Sequence, residues 1–125
     1  MACVSLSCNA GKSFDKAEDA QDAGRQFIRA SLDGDYEKAR FYLLSDSVNL
    51  LLIGKWQQDF AQLDANTRQA YREASILPIS IRAINDSVTS YTYSNSFKKD
   101  TTTVRIVRVN GEWLVDLKEI LNQKR

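Results

Sequence analysis

The spacing of apolar residues along the chain changes near its middle, from the period of a helix to the period of a strand. Over residues 15–74, apolar side chains recur every three or four positions. Polar breaks at residues 33–35, 45–47 and 64–66 predict helices over residues 15–32, 36–44 and 48–74, and at the third break the last helix can divide in two. Gly34 suits the left-handed C-cap of the first helix, and Asp35 suits the N-cap of the second.

The remainder of the chain has the pattern of β-strands. In the first run, Leu77, Ile79, Ile81 and Ala83 alternate with Pro78 and polar residues, and Pro78 must lie at the start or the edge of a sheet because it has no N–H to donate. Predicted strands follow over residues 88–97, 101–109 and 112–117. The last two are joined by Asn110-Gly111, which suits a type I′ turn because both positions need positive φ. Helices followed by an antiparallel meander predict an α+β fold.

The length and charge of the chain are those of an ordinary globular domain. Its 125 residues are predicted to form a single α+β domain over residues 14–121, after an N-terminal segment (1–13) and before a polar tail (122–125). With 17 Lys and Arg against 16 Asp and Glu, the net charge of +1 creates no field that would attract nucleic acid. No nucleic-acid partner is therefore predicted.

The chain has no histidine, and its two cysteines, Cys3 and Cys8, lie in the N-terminal segment. Histidine-based triads, general bases and metal ligands are therefore excluded, and two cysteines are too few for a structural zinc site. The acidic residues at 33–37 do not form a calcium loop, because Lys38 stands where that loop requires glycine. The sequence predicts neither a metal nor a cofactor.

The N-terminal segment has two interpretations. Leu6-Ser7-Cys8 resembles the end of a bacterial lipobox, in which a small residue precedes the cysteine that is acylated, although Ser5 stands where an aliphatic residue is usual. On this interpretation the segment is a truncated lipoprotein signal, and Cys8 anchors the protein to the bacterial cell envelope. On the other, the segment is disordered, its cysteines are incidental and the protein is cytoplasmic. No other run reaches the roughly 18–20 apolar residues needed to span a bilayer.

Three segments carry a resemblance to a known superfamily. They are the first helix (residues 20–32), the Gly-Asp-Tyr-x-x-Ala stretch that follows it (34–39), and Val-Asn-Gly-Glu-Trp-Leu-Val near the C-terminus (109–115). Together they resemble the nuclear-transport-factor-2-like superfamily, which includes ketosteroid isomerase and SnoaL-like cyclases, and more narrowly its small bacterial lipoproteins of unknown function. The resemblance spans roughly residues 18–118 and implies a cone of helices against a curved four-stranded antiparallel sheet, with a pocket between them.

The candidate ligand-binding residues form an aromatic set that is large enough to line such a pocket, or simply to fill the core. The set is Tyr42, Trp56, Tyr91, Tyr93 and Trp113. An isomerase-like site would pair Asp116 with Tyr91 or Tyr93, as the resemblance implies. However, Asp116 alternates with Val115 and Leu117, so we expect it on the opposite face of its strand, towards solvent.

The leading hypothesis is a non-enzymatic, envelope-associated domain that binds a small molecule or a protein partner. The alternative is a cofactor-free isomerase- or cyclase-like enzyme that uses a buried carboxylate and a tyrosine. A third interpretation is an adaptor that forms a homodimer through an exposed face of its sheet. The identity of the ligand cannot be read from the sequence.

Overall fold

The computed structural model describes residues 13–122 and has an α+β fold, with helices packed on a four-stranded antiparallel sheet. The helices are α1 (Ala20–Asp33), α2 (Tyr36–Phe41), α3 (Ser47–Ala61) and α4 (Ala65–Glu73). The strands are β1 (Ile76–Asn85), β2 (Val88–Asn95), β3 (Thr102–Val109) and β4 (Glu112–Asp116), and a 3₁₀ helix, Leu117–Asn122, follows them. The predicted fold class is confirmed. Cys3 and Cys8 lie outside the described residues, so the lipid anchor stays a prediction.

Within residues 13–122, each of the four α-helices begins after an aspartate whose carboxylate accepts a hydrogen bond from the backbone N–H three residues later. These N-caps are Asp19, Asp35, Asp46 and Asp64. They satisfy backbone donors that a helix leaves unpaired at its start. The cap at Asp35 is confirmed, and the cap at Asp64 divides the last predicted helix into α3 and α4.

Helix α2 ends at Phe41, earlier than the predicted end at residue 44. The three residues after it run beside β4 instead. The N–H of Leu44 donates to the carbonyl of Val115 at 2.8 Å, and the N–H of Val115 donates to the carbonyl of Tyr42 at 2.7 Å. This pairing with the sheet replaces the last predicted turn of the helix and covers the outer edge of β4.

Helix α1 lies across the sheet and contacts all four strands, which follow one another in sequence order. Cross-strand pairs such as Tyr91 with Val104, and Ile106 with Val115, direct buried side chains towards this helix. The hairpin between β3 and β4 turns at Asn110 and Gly111, which have φ of 53° and 78°. The predicted positive φ at both turn positions is confirmed.

Strand β1 forms the other edge of the sheet and pairs with β2 alone. Pro78 therefore lies in an edge strand, as predicted. Bulges interrupt the register of β1 between Pro78 and Ser80 and between Ala83 and Asn85, so the apolar residues that alternate in sequence do not all lie on one face. Leu77 pairs with Ser94 and Ile81 pairs with Tyr91, so these two aliphatic side chains point to opposite faces. Within residues 13–122, no helix is long and apolar enough to cross a membrane.

Candidate functional site

A cavity of about 350 Å³ opens between the helices and the ends of β2 and β3. Its apolar lining consists of five aromatic residues (Tyr36, Trp56, Phe60, Tyr71 and Tyr93) and three aliphatic ones (Ile28, Leu32 and Leu63). Its polar lining residues are Ser31, Asp59, Asn95, Lys98, Asp100 and Thr102. A concave site with apolar walls and a few polar groups is the usual form of a small-molecule site.

The aromatic walls are held by contacts between the rings. Trp56 and Phe60 lie one turn apart on α3, so both project from the same face of that helix. The ring of Phe60 lies 6.1 Å from Tyr36 and 6.4 Å from Tyr71, and the ring of Trp56 lies 5.9 Å from Phe27 in the core. Edge-to-face and tilted pairs at these distances are favourable. The cavity therefore has a packed wall that joins α2, α3 and α4.

Two tyrosines place their hydroxyl groups in a poorly solvated region of the cavity. Burial, followed by the nearby carboxylate of Asp59, raises the pKa of Tyr36 from 10.0 to about 12. Its hydroxyl donates to the carbonyl of Trp56 at 3.4 Å. Burial also raises the pKa of Tyr93. Both hydroxyls therefore stay neutral near pH 7 and are available as hydrogen-bonding groups, not as bases.

The charged lining residues lie where the cavity meets solvent. Asp59, Lys98 and Asp100 are all exposed. The turn that carries Lys98 is fixed by Asn95, whose side-chain oxygen accepts from the backbone N–H groups of Phe97 and Lys98 at 2.9 and 2.7 Å. Asp59 also lies 3.4 Å from Lys55, but both side chains are more than half exposed, so this ion pair is weak.

Two of the five predicted aromatic residues line this cavity, namely Trp56 and Tyr93. Tyr42, Tyr91 and Trp113 lie outside its lining, and a ligand-binding role for them stays a prediction. Tyr42 is buried and donates to the carbonyl of Asp15 at 2.6 Å, and Tyr91 is buried beneath α1. The guanidinium of Arg108 lies 5.5 Å from the ring of Trp113. Alternate positions on β2 face the helices together, but α1 covers Tyr91 and leaves Tyr93 at the cavity.

Asp116 lies away from the cavity and pairs with Arg105, so it is on the face opposite the buried Ile106 and Val115 pair. The predicted parity is therefore right, but the expectation of a simple solvent-facing carboxylate is wrong. Its side chain is only 19% exposed and accepts from the amide of Asn49 at 3.2 Å and from the ammonium of Lys118 at 3.1 Å. The first turn of α3 and the 3₁₀ helix fold over this end of β4.

Sequence reasoning missed Tyr36, Phe60 and Tyr71 as lining residues. A signal was present for Phe60, which follows Trp56 by four residues and precedes Leu63 by three, a stripe on one face of a helix. That signal indicates burial, however, and does not distinguish a core from a cavity. Among residues 13–122, no group of three or more Asp, Glu, Cys or His is placed to hold a metal ion.

Comparison with known proteins gives no relative from which a function could be carried over: neither protein-family models nor curated proteins match this chain. The superfamily resemblance therefore stays a prediction. It rests on the three short segments of sequence that carry it.

Proposed function

We propose that this protein is a non-enzymatic binding domain that takes a small molecule into the aromatic cavity. The observation that carries the proposal is the cavity itself, since five aromatic residues line a volume of about 350 Å³. That volume falls near the lower end of the range of about 300–1,000 Å³ found for small-molecule sites. The neutral hydroxyls of Tyr36 and Tyr93 can orient a ligand by hydrogen bonds.

The position of the carboxylates supports binding over the alternative of an isomerase-like enzyme. Such an enzyme needs a carboxylate base held out of water beside its substrate. The carboxylates that line this cavity belong to Asp59 and Asp100, and both residues are exposed. Asp116, the residue considered for that role, lies elsewhere and is held by Asn49 and Lys118.

A fragment screen with a cavity-filling variant tests this proposal. We expect a subset of small aromatic fragments to shift the NMR signals of Trp56 and Tyr93, and Ser31→Tyr to abolish these shifts because it fills the cavity from α1. The matched control is Gln58→Tyr, which adds the same side chain at an exposed position of α3. Mass spectrometry should recover the fragments unchanged. The proposal is wrong if no fragment perturbs the cavity, or if Ser31→Tyr folds and binds as well as the parent.

We also propose that the domain is held at a bacterial envelope by acylation of Cys8, on the strength of Leu6-Ser7-Cys8. Acyl chains on an N-terminal cysteine attach a protein to a membrane without a spanning helix. Mass spectrometry of the native protein should find a lipid-modified N-terminal Cys8, and Cys8→Ser should release the protein from the membrane fraction. Cys3→Ser is the matched control and should not. A native protein that retains Met1 and an unmodified Cys8 would refute attachment to the envelope through Cys8.

A further inference from the structure

We infer that the molecule bound in this cavity is an organic cation, such as an amine or a quaternary ammonium compound. This inference rests on the proposed binding function and names the chemical class of the ligand. The cavity combines aromatic walls with carboxylates of Asp59 and Asp100 at its mouth. A cation bound between them would meet both kinds of negative potential at once.

The walls supply the first attraction. The face of an aromatic ring is the negative end of its quadrupole, so cations bind over it within about 6 Å of the centroid. One lining ring already makes such a contact, because the guanidinium of Arg72 lies 5.8 Å from the centroid of Phe60. Trp56, the side chain with the strongest cation–π attraction, and Tyr36 complete the wall beside Phe60. Several rings around one cavity are the usual means of recognising a quaternary ammonium group.

The charged lining residues supply the second attraction. Among the lining residues, two carboxylates, Asp59 and Asp100, outnumber one ammonium, Lys98. Two cations outside the lining, Arg72 over the ring of Phe60 and Lys55 beside Asp59, reduce this negative excess. Besides burial, the charges of Asp59 and Arg40 act on the pKa of Tyr36 in opposite directions, and Asp59, which raises it, has the larger effect. The positive charge of Lys98 repels a bound cation, so its removal tests whether the ligand is positively charged. Removal of the Lys98 charge should strengthen the binding of a cation and should not change the binding of a neutral molecule.

The experiment compares choline with its neutral isostere, the alcohol in which a tert-butyl group replaces the trimethylammonium group. The two molecules have nearly the same shape and differ in charge. Binding is followed by the fluorescence of Trp56 in a Trp113→Phe background, because Trp113 lies outside the cavity lining. We expect choline to bind about threefold to thirtyfold more tightly than the alcohol, the range that cation–π contacts supply.

Charge variants then separate a specific effect from a general one. Lys98→Gln should raise the affinity for choline by about twofold to fivefold, as expected for a nearby charge at a partly solvated site. Lys99→Gln removes the same charge from the neighbouring residue, which is not among the lining residues, and should change little. Asp100→Asn should weaken choline binding, whereas Asp86→Asn, in the turn between β1 and β2, should not.

Three results would overturn this inference and leave the proposed function intact, two of them in the comparison of the probes. One is equal or tighter binding of the neutral alcohol, and the other is an equal effect of Lys98→Gln on both probes. If neither probe binds while neutral aromatic fragments still shift Trp56, the cavity is a binding site for another class of ligand and the inference fails alone. If no fragment of any charge binds, both proposals fail.

Discussion

Gly34 follows the end of α1 and lies against Phe60 in the wall of the cavity. Its replacement by alanine should therefore affect both the stability of the fold and the cavity. The residue has a φ of 77°, in the left-handed region that glycine adopts freely, and its N–H bonds to the carbonyls of Ala30 and Ser31. A Cβ atom at this position would lie 2.5 Å from Cε2 of Phe60 and 3.0 Å from its Cζ. Gly34→Ala therefore imposes two separate costs, one on the backbone and one on the aromatic wall.

The size of each cost follows from the geometry. The left-handed backbone conformation costs an alanine about 1–2 kcal/mol. Movement of the Phe60 ring out of its preferred rotamer, away from the new methyl group, costs about 0.5–1.5 kcal/mol more. We therefore expect Gly34→Ala to lower the free energy of unfolding by about 1.5–3.5 kcal/mol. It should also weaken ligand binding, because Phe60 lines the cavity.

Gly111 provides the control, because it has almost the same φ of 78° but no other atom within 4 Å of an added Cβ. Gly111→Ala should have the backbone cost alone and should leave ligand binding unchanged. The two variants are compared by urea denaturation followed by circular dichroism, with linear extrapolation to water. In a Phe60→Leu background, the excess cost of Gly34→Ala should largely disappear. The reasoning is refuted if the two glycine variants cost the same, or if Phe60→Leu leaves the excess unchanged.

Three further substitutions test contacts that hold the helices and the sheet together. Arg29 donates to the last carbonyls of α4, those of Tyr71, Arg72 and Ala74, so Arg29→Met should lower the free energy of unfolding by about 2–3 kcal/mol. Arg29→Lys should recover only part of this loss, because a single ammonium cannot reproduce the several donors of the planar guanidinium. Full recovery would show that the guanidinium shape is not needed. Asn49 is buried, and its side-chain oxygen accepts from the N–H of Leu117 at 2.7 Å. Asn49→Leu should therefore lower the free energy of unfolding, measured by urea denaturation, by about 1–3 kcal/mol. An unchanged free energy would contradict a stabilising role for this hydrogen bond. Burial raises the pKa of Tyr36 from 10.0, its ordinary value, to about 12 in the folded protein. The stability that this residue contributes is therefore complete below pH 10 and is lost as the pH rises towards 12, because the unfolded chain loses the proton first. In the Tyr36→Phe variant, the free energy of unfolding should therefore fall less steeply between pH 10 and pH 12. An equally steep fall would contradict the raised pKa of Tyr36.

Much of the helical half could be predicted from sequence because its boundaries depend on nearby residues. A carboxylate at Asp35 or Asp64 accepts from a backbone N–H three residues along the chain, so cap and helix are encoded together. The same is true of Asn110-Gly111, which needs no partner outside its own hairpin. The end of α2 was missed for the opposite reason, since Leu44 bonds to Val115, more than seventy positions away.

The candidate site could be predicted only in part because its lining depends on how distant elements cross. Tyr91 and Tyr93 have the same parity on β2 and the same residue type, and their rings lie 6.0 Å apart. Only Tyr93 lines the cavity, because α1 covers the sheet at Tyr91. The sequence of β2 does not predict where α1 crosses the sheet. Residues of one type and one parity therefore divide between core and cavity by tertiary packing.

Strand β1 shows the same limit at the edge of the sheet. An alternating apolar run usually indicates a strand with one buried face, yet Ile79 is 58% exposed and Leu77 is 38% exposed. A bulge after Pro78 breaks the parity, and the terminal place of β1 in the sheet leaves it one neighbouring strand. An exposed apolar edge invites pairing with other strands, and a proline, a bulge and a charge such as that of Arg82 are the features that discourage it. The apolar residues of β1 therefore lie on the surface, and the edge position predicted from Pro78 is consistent with their exposure.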